Sequence, residues 1–135
     1  MNFNTESPNF LKFERLIESA YALKGRFQTG RAFHFAAILS KSRILSIATN
    51  NYSKTHPQTL QYNYQPNARL HAELSAALKL GLQDCSGLTI VSIRIDNNNR
   101  LNNAIFCNGC KELIKQLNFK NCYYTNKDGN FQRYD

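Results

Sequence analysis

The sequence predicts an α/β fold with three layers, α-β-α, around a mixed sheet of about five strands. Three observations lead there. Apolar residues recur at helical spacing in three separate stretches, short β-rich runs lie between and after them, and Gly or Asn punctuates the junctions. Helices alternating with strands in the middle of the chain imply a sheet covered on both faces. At 135 residues the chain fits a single domain, residues 9–135, preceded by a flexible arm over residues 1–8.

The first helix begins at Asn9, where Phe10, Phe13, Ile17, Ala20 and Tyr21 fall at spacings of three and four and Gly25 reads as a stop. Ala32 to Leu39 and Arg43 to Ala48, joined by Ser40-Lys41-Ser42, read as a β-hairpin. From Asn50 to Pro66 the chain is polar and aromatic, a long connection of the kind that usually serves function. A second helix is expected from Ala68 to Leu80, with Ala72, Ala76, Ala77 and Leu80 on its packed face and Gly81 ending it. Leu88 to Ile95 reads as a strand closed by the turn Asp96-Asn97-Asn98-Asn99. A third helix opens near Cys107 and buries Leu113, Ile114 and Leu117. The strand Cys122 to Thr125, the turn Lys127-Asp128-Gly129 and a short strand around Phe131 follow.

Seventeen Lys and Arg stand against nine Asp and Glu, a net charge of +8, and the excess is uneven. No acid occurs between Glu18 and Glu73, while Lys24, Arg26, Arg31, Lys41, Arg43, Lys54 and Arg69 do. Such a field attracts phosphates. The longest apolar runs are strand-sized, so no membrane span is expected. The first residues lack a basic region followed by an apolar run, which points to the cytoplasm and to reduced cysteines.

The chemistry-bearing residues are His71-Ala72-Glu73 at one helix start and Cys107-Asn108-Gly109-Cys110 at another. Alone, Cys-x-x-Cys is ambiguous between a redox pair and a metal site. Residues three apart at a helix start share a face, and the partial positive charge there favours thiolates. His71 and Glu73 are two apart and share no face, so both serve one site only if it lies off the helix start. A closed structural zinc takes four protein ligands, a catalytic one three and a water. Cys85 and Cys122 could supply a fourth, but each reads as a small buried residue. His34, in an apolar strand, reads as a core or surface histidine.

Together, His-x-Glu and Cys-x-x-Cys resemble the signature of the zinc-dependent cytidine and deoxycytidylate deaminase superfamily. The element order resembles the cytidine-deaminase-like fold as well. Small phage-encoded deaminase-like proteins look closest, through Thr55-His56-Pro57 and the Cys-x-Gly-Cys pair. Where the family has Pro before the first cysteine this chain has Phe106, which gives up a preset helix start but no ligand.

The resemblance implies one catalytic Zn2+ on His71, Cys107 and Cys110, with Glu73 moving a proton from water to the ring nitrogen of the base. Water adds at the carbon bearing the exocyclic amine, ammonia leaves, and cytosine becomes uracil. It also implies assistance from backbone groups near Ala72 and Phe106. Asn50, at the end of the second strand, is implied to contact sugar or base; Asn51 is the alternative, and a plain turn Asn the bland reading. In the following loop His56 is expected to border the pocket, and Tyr52 with Lys54 could stack on a base or meet a phosphate.

After Thr125 only ten residues remain, and a parallel crossover needs about a dozen or more. The family branch that ends in an antiparallel hairpin is therefore expected. Nucleoside deaminases generally carry Cys-Ala-Glu where this chain has His71-Ala72-Glu73, and their Asn-x-Glu pair has no counterpart near Asn50. The expected enzyme is a hydrolase of C–N bonds in cyclic amidines that deaminates cytosine. Its substrate is single-stranded DNA or RNA, slightly ahead of a cytidine or deoxycytidine nucleotide. The alternative is a non-catalytic zinc-containing module that binds nucleic acid. Small relatives assemble into dimers or tetramers, so the resemblance extends to a homo-oligomer.

Overall fold

A computed structural model describes residues 10–26, 33–41, 43–50, 62 and 71–134. The arm at residues 1–8, Tyr52, Lys54 and His56 lie outside the described residues. The elements are α1 (Phe10–Arg26), β1 (Phe33–Ser40), β2 (Arg43–Thr49), α2 (Ala72–Lys79), β3 (Thr89–Ile95), β4 (Leu101–Asn102), α3 (Asn108–Leu117), β5 (Asn121–Thr125) and β6 (Phe131–Tyr134).

The sheet runs β2-β1-β3-β5-β6, with β4 on β3. β1 is antiparallel to both β2 and β3, β3 and β5 are parallel, and β5 and β6 close the sheet as an antiparallel hairpin pairing Cys122 with Tyr134 and Thr125 with Phe131. The architecture is the expected α/β mixed sheet between helical layers.

Side-chain alternation sorts the two faces. Phe33, Phe35, Ala37 and Leu39 of β1 join Val91, Ile93 and Ile95 of β3 against Phe13, Leu16 and Ala20 of α1. Ala36 and Ile38 of β1 and Ile90 of β3 turn the other way, towards α2 and α3. β1 is buried on both faces and reads as a near-continuous apolar run, as an interior strand must. On the second face, Ala36 and Ala48 meet Ala72, Ala76 and Ala77, short side chains that let α2 lie close to the sheet. Ser46 Oγ locks that contact by donating to the Ala76 carbonyl at 2.9 Å.

Two expectations are corrected. Gly25 lies inside α1, which continues to Arg26; in a last turn its poorer helix propensity costs only about 1 kcal/mol. β4 was not expected. The turn after β3 folds the chain back, Asn99 adopting φ 59 and Asp96 Oδ1 accepting from the Asn98 and Arg100 amides, so that Leu101 and Asn102 pair with Ile95 and Arg94. From α1, Tyr21 Oη donates to the Asn99 carbonyl at 2.8 Å and Lys24 Nζ to Asn99 Oδ1 at 2.6 Å. Tyr62, within the polar and aromatic connection expected from Asn50 to Pro66, is buried in the core with residues of α2 and α3.

Candidate metal centre

The expected start of the second helix moves. His71 has φ −74 and ψ 152, an extended cap, and Ala72 is the first helical residue. An extended residue ahead of the first turn sends its side chain off the helix start, where Glu73 of the first turn can also reach. The geometric demand made on His-x-Glu is met in this way. Cys107 is likewise an extended cap, φ −70 and ψ 174, and its Sγ accepts the Cys110 amide at 3.4 Å. Cys110 lies one turn on and is fully buried, while Cys107 is exposed.

The segment carrying Cys107 is held from several sides. Thr125 Oγ1 donates to the Asn102 carbonyl at 2.8 Å, the Ala104 amide donates to the Thr125 carbonyl at 2.8 Å, and Asn103 Oδ1 accepts the Ile105 amide. Phe106 is buried with its ring edge-on to Tyr124, 6.1 Å between centroids, and to Tyr134, 5.6 Å. The aromatic at the usual Pro position thus anchors the loop from within the core.

His71 Nδ1 lies 3.6 Å from Cys107 Sγ and 3.7 Å from Cys110 Sγ. The three ligand atoms all fall within 4.8 Å of one another and could hold a metal ion. Zinc bonds of about 2.3 Å to sulfur and about 2.0–2.1 Å to nitrogen, at a tetrahedral angle, separate S and N by about 3.6 Å. The donor set and its spacing fit that ion. Cys85 Sγ instead donates to the Gln83 carbonyl at 3.3 Å. Cys122 is buried in β5, and burial pushes its thiol up to about 12. Among the described residues neither joins the group, nor does Glu73.

Glu73 is 5 % exposed. Ser92 Oγ of β3 donates to its Oε2 at 3.3 Å, and its carboxyl also meets the Cys110 side chain and its own amide. Burial raises its pKa against those bonds and the opposing charge of His71. An ionisable group kept in such a place is costly, and groups of this kind cluster at functional sites. Cys107 is driven down to about 4, first by the hydrogen bond with Cys110 and then by His71, while the bond to Cys107 raises His71. The cluster therefore presents a thiolate, the form a metal takes.

Ala72 is buried at the first turn of α2 and Phe106 stands immediately before the first cysteine, both beside the ligands. Asn50 ends β2: its Oδ1 accepts the His34 amide at 3.1 Å and its own amide donates to the His34 carbonyl at 3.1 Å. That pair of bonds ties the residue after β2 to the start of β1. Tyr52 and His56 fall outside the described residues.

His34 sits half-buried in β1, in keeping with a core or surface histidine. It shares the α2–α3 face with Ala36 and Ile38, and its electrostatic neighbours are Arg94, His71 and Cys107. Burial first, then the charges of Arg94 and His71, press it to about 4, although Cys107 acts the other way. The signal was the alternation itself, polar positions 34, 92 and 94 on one face of otherwise apolar strands. Unfolded, His34 takes a proton near the ordinary 6.5; folded, it does so near 4. The unfolded chain then binds more protons in that window, so stability falls as pH drops from about 6.5 to about 4. His34→Gln should flatten part of that loss, a difference of at most about 3 kcal/mol at about 1.4 kcal/mol per pH unit of displacement. Denaturant unfolding of both proteins across the window checks it, and equal slopes would refute it.

Among the described residues no helix is long and apolar enough to cross a membrane. No protein-family model matches the chain, and no curated protein is recognisably similar to it.

Proposed function

We propose that this protein is a zinc-dependent hydrolytic deaminase that converts cytosine to uracil, acting on single-stranded nucleic acid and, second, on cytidine nucleotides. The observation that carries this reading is a buried carboxyl, Glu73, packed beside a group of two sulfurs and one imidazole nitrogen. Three donors suit a catalytic ion, which needs a fourth place for solvent or substrate.

His71, Cys107 and Cys110 would hold the ion. When bound, zinc supplies a water acidified to a pKa of about 7. Glu73 takes the water's proton and delivers it to the ring nitrogen, and a second proton passes to the departing amine. The balance is cytosine plus water to uracil plus ammonia. Ser92 donates to one carboxyl oxygen and so orients the group that moves protons. The burial that raises the Glu73 pKa brings it towards the working range of an acid–base catalyst. The net charge of +8 and the acid-free stretch between Glu18 and Glu73 support a phosphate-bearing substrate.

The test is incubation of zinc-loaded protein with single-stranded DNA, single-stranded RNA, dCMP and cytidine in parallel, with uracil measured in each. Uracil in a polynucleotide at a rate above that from the monomers is expected. Uracil from the monomers alone would remove the polynucleotide preference, and none from any substrate would remove the activity.

A further inference from the structure

One charged group on the site's face of the sheet is used by nothing described so far. Arg94 lies near the end of β3, directly opposite His34 of β1 in the strand register. Ile90, Ser92 and Arg94 alternate onto the face that carries α2 and α3, where Ser92 bonds Glu73. By strand rise Arg94 is about 7 Å beyond Ser92, outward along β3 from the reacting carboxyl. Its Nε is buried and has no hydrogen-bond partner among the described residues. Its backbone is occupied: the Arg94 amide donates to Thr125 Oγ1 at 3.2 Å, and β4 pairs with it through Asn102.

A guanidinium half-buried on a central strand needs an anion. Among the described residues no carboxylate pairs with it, Glu73 being engaged by Ser92, Cys110 and its own amide. His34 beside it is kept neutral at ordinary pH, partly by the charge of Arg94 itself, and the same imidazole feels His71 and Cys107. Arg94 and His34 therefore lie on the same sheet face as Ser92, which bonds Glu73.

We propose that Arg94, with His34 opposite it in the strand register, is a phosphate-binding subsite beside the metal ligands and takes the phosphate attached to the reacting nucleoside. A guanidinium offers a planar fork that matches two phosphate oxygens. An incoming phosphate supplies a counter-charge to the buried Nε. The subsite rests on the deaminase reading for the identity of the base, while its phosphate chemistry comes from Arg94. A free nucleotide and a polynucleotide both carry that group.

The experiment is calorimetric titration of zinc-loaded protein with dCMP, with deoxycytidine, and with a short single-stranded oligonucleotide holding one cytosine. Arg94→Gln should weaken dCMP or the oligonucleotide at least tenfold more than it weakens deoxycytidine. Arg94→Lys should recover part of the difference, since it keeps the charge and loses the fork. If the Gln variant does not fold, judged by zinc content and circular dichroism, the Lys variant carries the test with a severalfold loss confined to phosphate-bearing ligands. Whichever of dCMP and the oligonucleotide shows the difference identifies the source of the phosphate. Equal losses for all three ligands, or a wild-type protein that binds neither phosphate-bearing ligand, would overturn the subsite. The two readings fail separately. Uracil formed from deoxycytidine with no phosphate preference keeps the deaminase and removes the subsite. Arg94-dependent phosphate binding with no uracil from any substrate keeps the subsite and removes the deaminase.

Discussion

Glu73→Gln should retain the metal, fold at least as stably as the wild type, and lose turnover by a factor of about 10²–10⁴, the usual worth of a positioned acid–base group. Each part follows from where the residue sits. It lies outside the group of three ligand atoms, so the ion has no reason to leave. It is 5 % exposed with a raised pKa, so its carboxyl is held at a cost in stability that an amide of the same shape relieves. Ser92 Oγ can still donate to the amide oxygen. The measurements are zinc per chain, the melting temperature and the rate of uracil release. Unchanged turnover would move the protein to the alternative reading, a zinc module that binds nucleic acid without chemistry. Loss of the metal would show that Glu73 is a ligand.

Cys110→Ser should cost the metal. Cys110 is fully buried and its Sγ lies 3.7 Å from His71 Nδ1, so no neighbouring atom can take its place without moving the helix start. Outer-shell partners of bound metals typically contribute 10–100-fold in affinity, and loss of a direct ligand should exceed that, weakening zinc by about a hundredfold or more. At a zinc level that saturates the wild type a hundredfold, about 2.3–2.7 kcal/mol of metal-linked stability goes with it. Zinc stoichiometry after dialysis and the shift in melting temperature on adding a chelator report both effects. Cys85→Ser and Cys122→Ser should leave zinc stoichiometry at the wild-type value, since both thiols lie outside the ligand group. Full zinc in Cys110→Ser, or loss of zinc in Cys122→Ser, would refute the assigned ligand set.

The residues that bring the ligands together were readable because each sits at a helix start, where local chemistry is strongest. A His two before a Glu, and two cysteines three apart, carry their geometry within a single turn. The C-terminal hairpin was readable from the turn Lys127-Asp128-Gly129 between two β-rich runs. β4 was not, because two residues carry no periodicity and their pairing with Arg94 and Ile95 depends on a turn that α1 holds through Asn99. The burial of Tyr62 was not readable for a related reason: nothing in a tyrosine set among Asn and Gln tells that a core closes over it.

Composition, period and spacing were enough for the α/β class, the order of every element but β4 and the charge excess, while the three donor residues came from the resemblance of His-x-Glu and Cys-x-x-Cys to a known signature. Folding in three dimensions decided the rest. His71 and Cys107 became extended caps facing one another across 36 positions. Ser92 was set against Glu73, and His34 and Arg94 were aligned across two strands on the same face as the metal ligands. The physical reason is range. A turn or a helix start is governed by neighbours within a few residues, whereas the partner of a buried charge is chosen by packing between segments far apart in the chain.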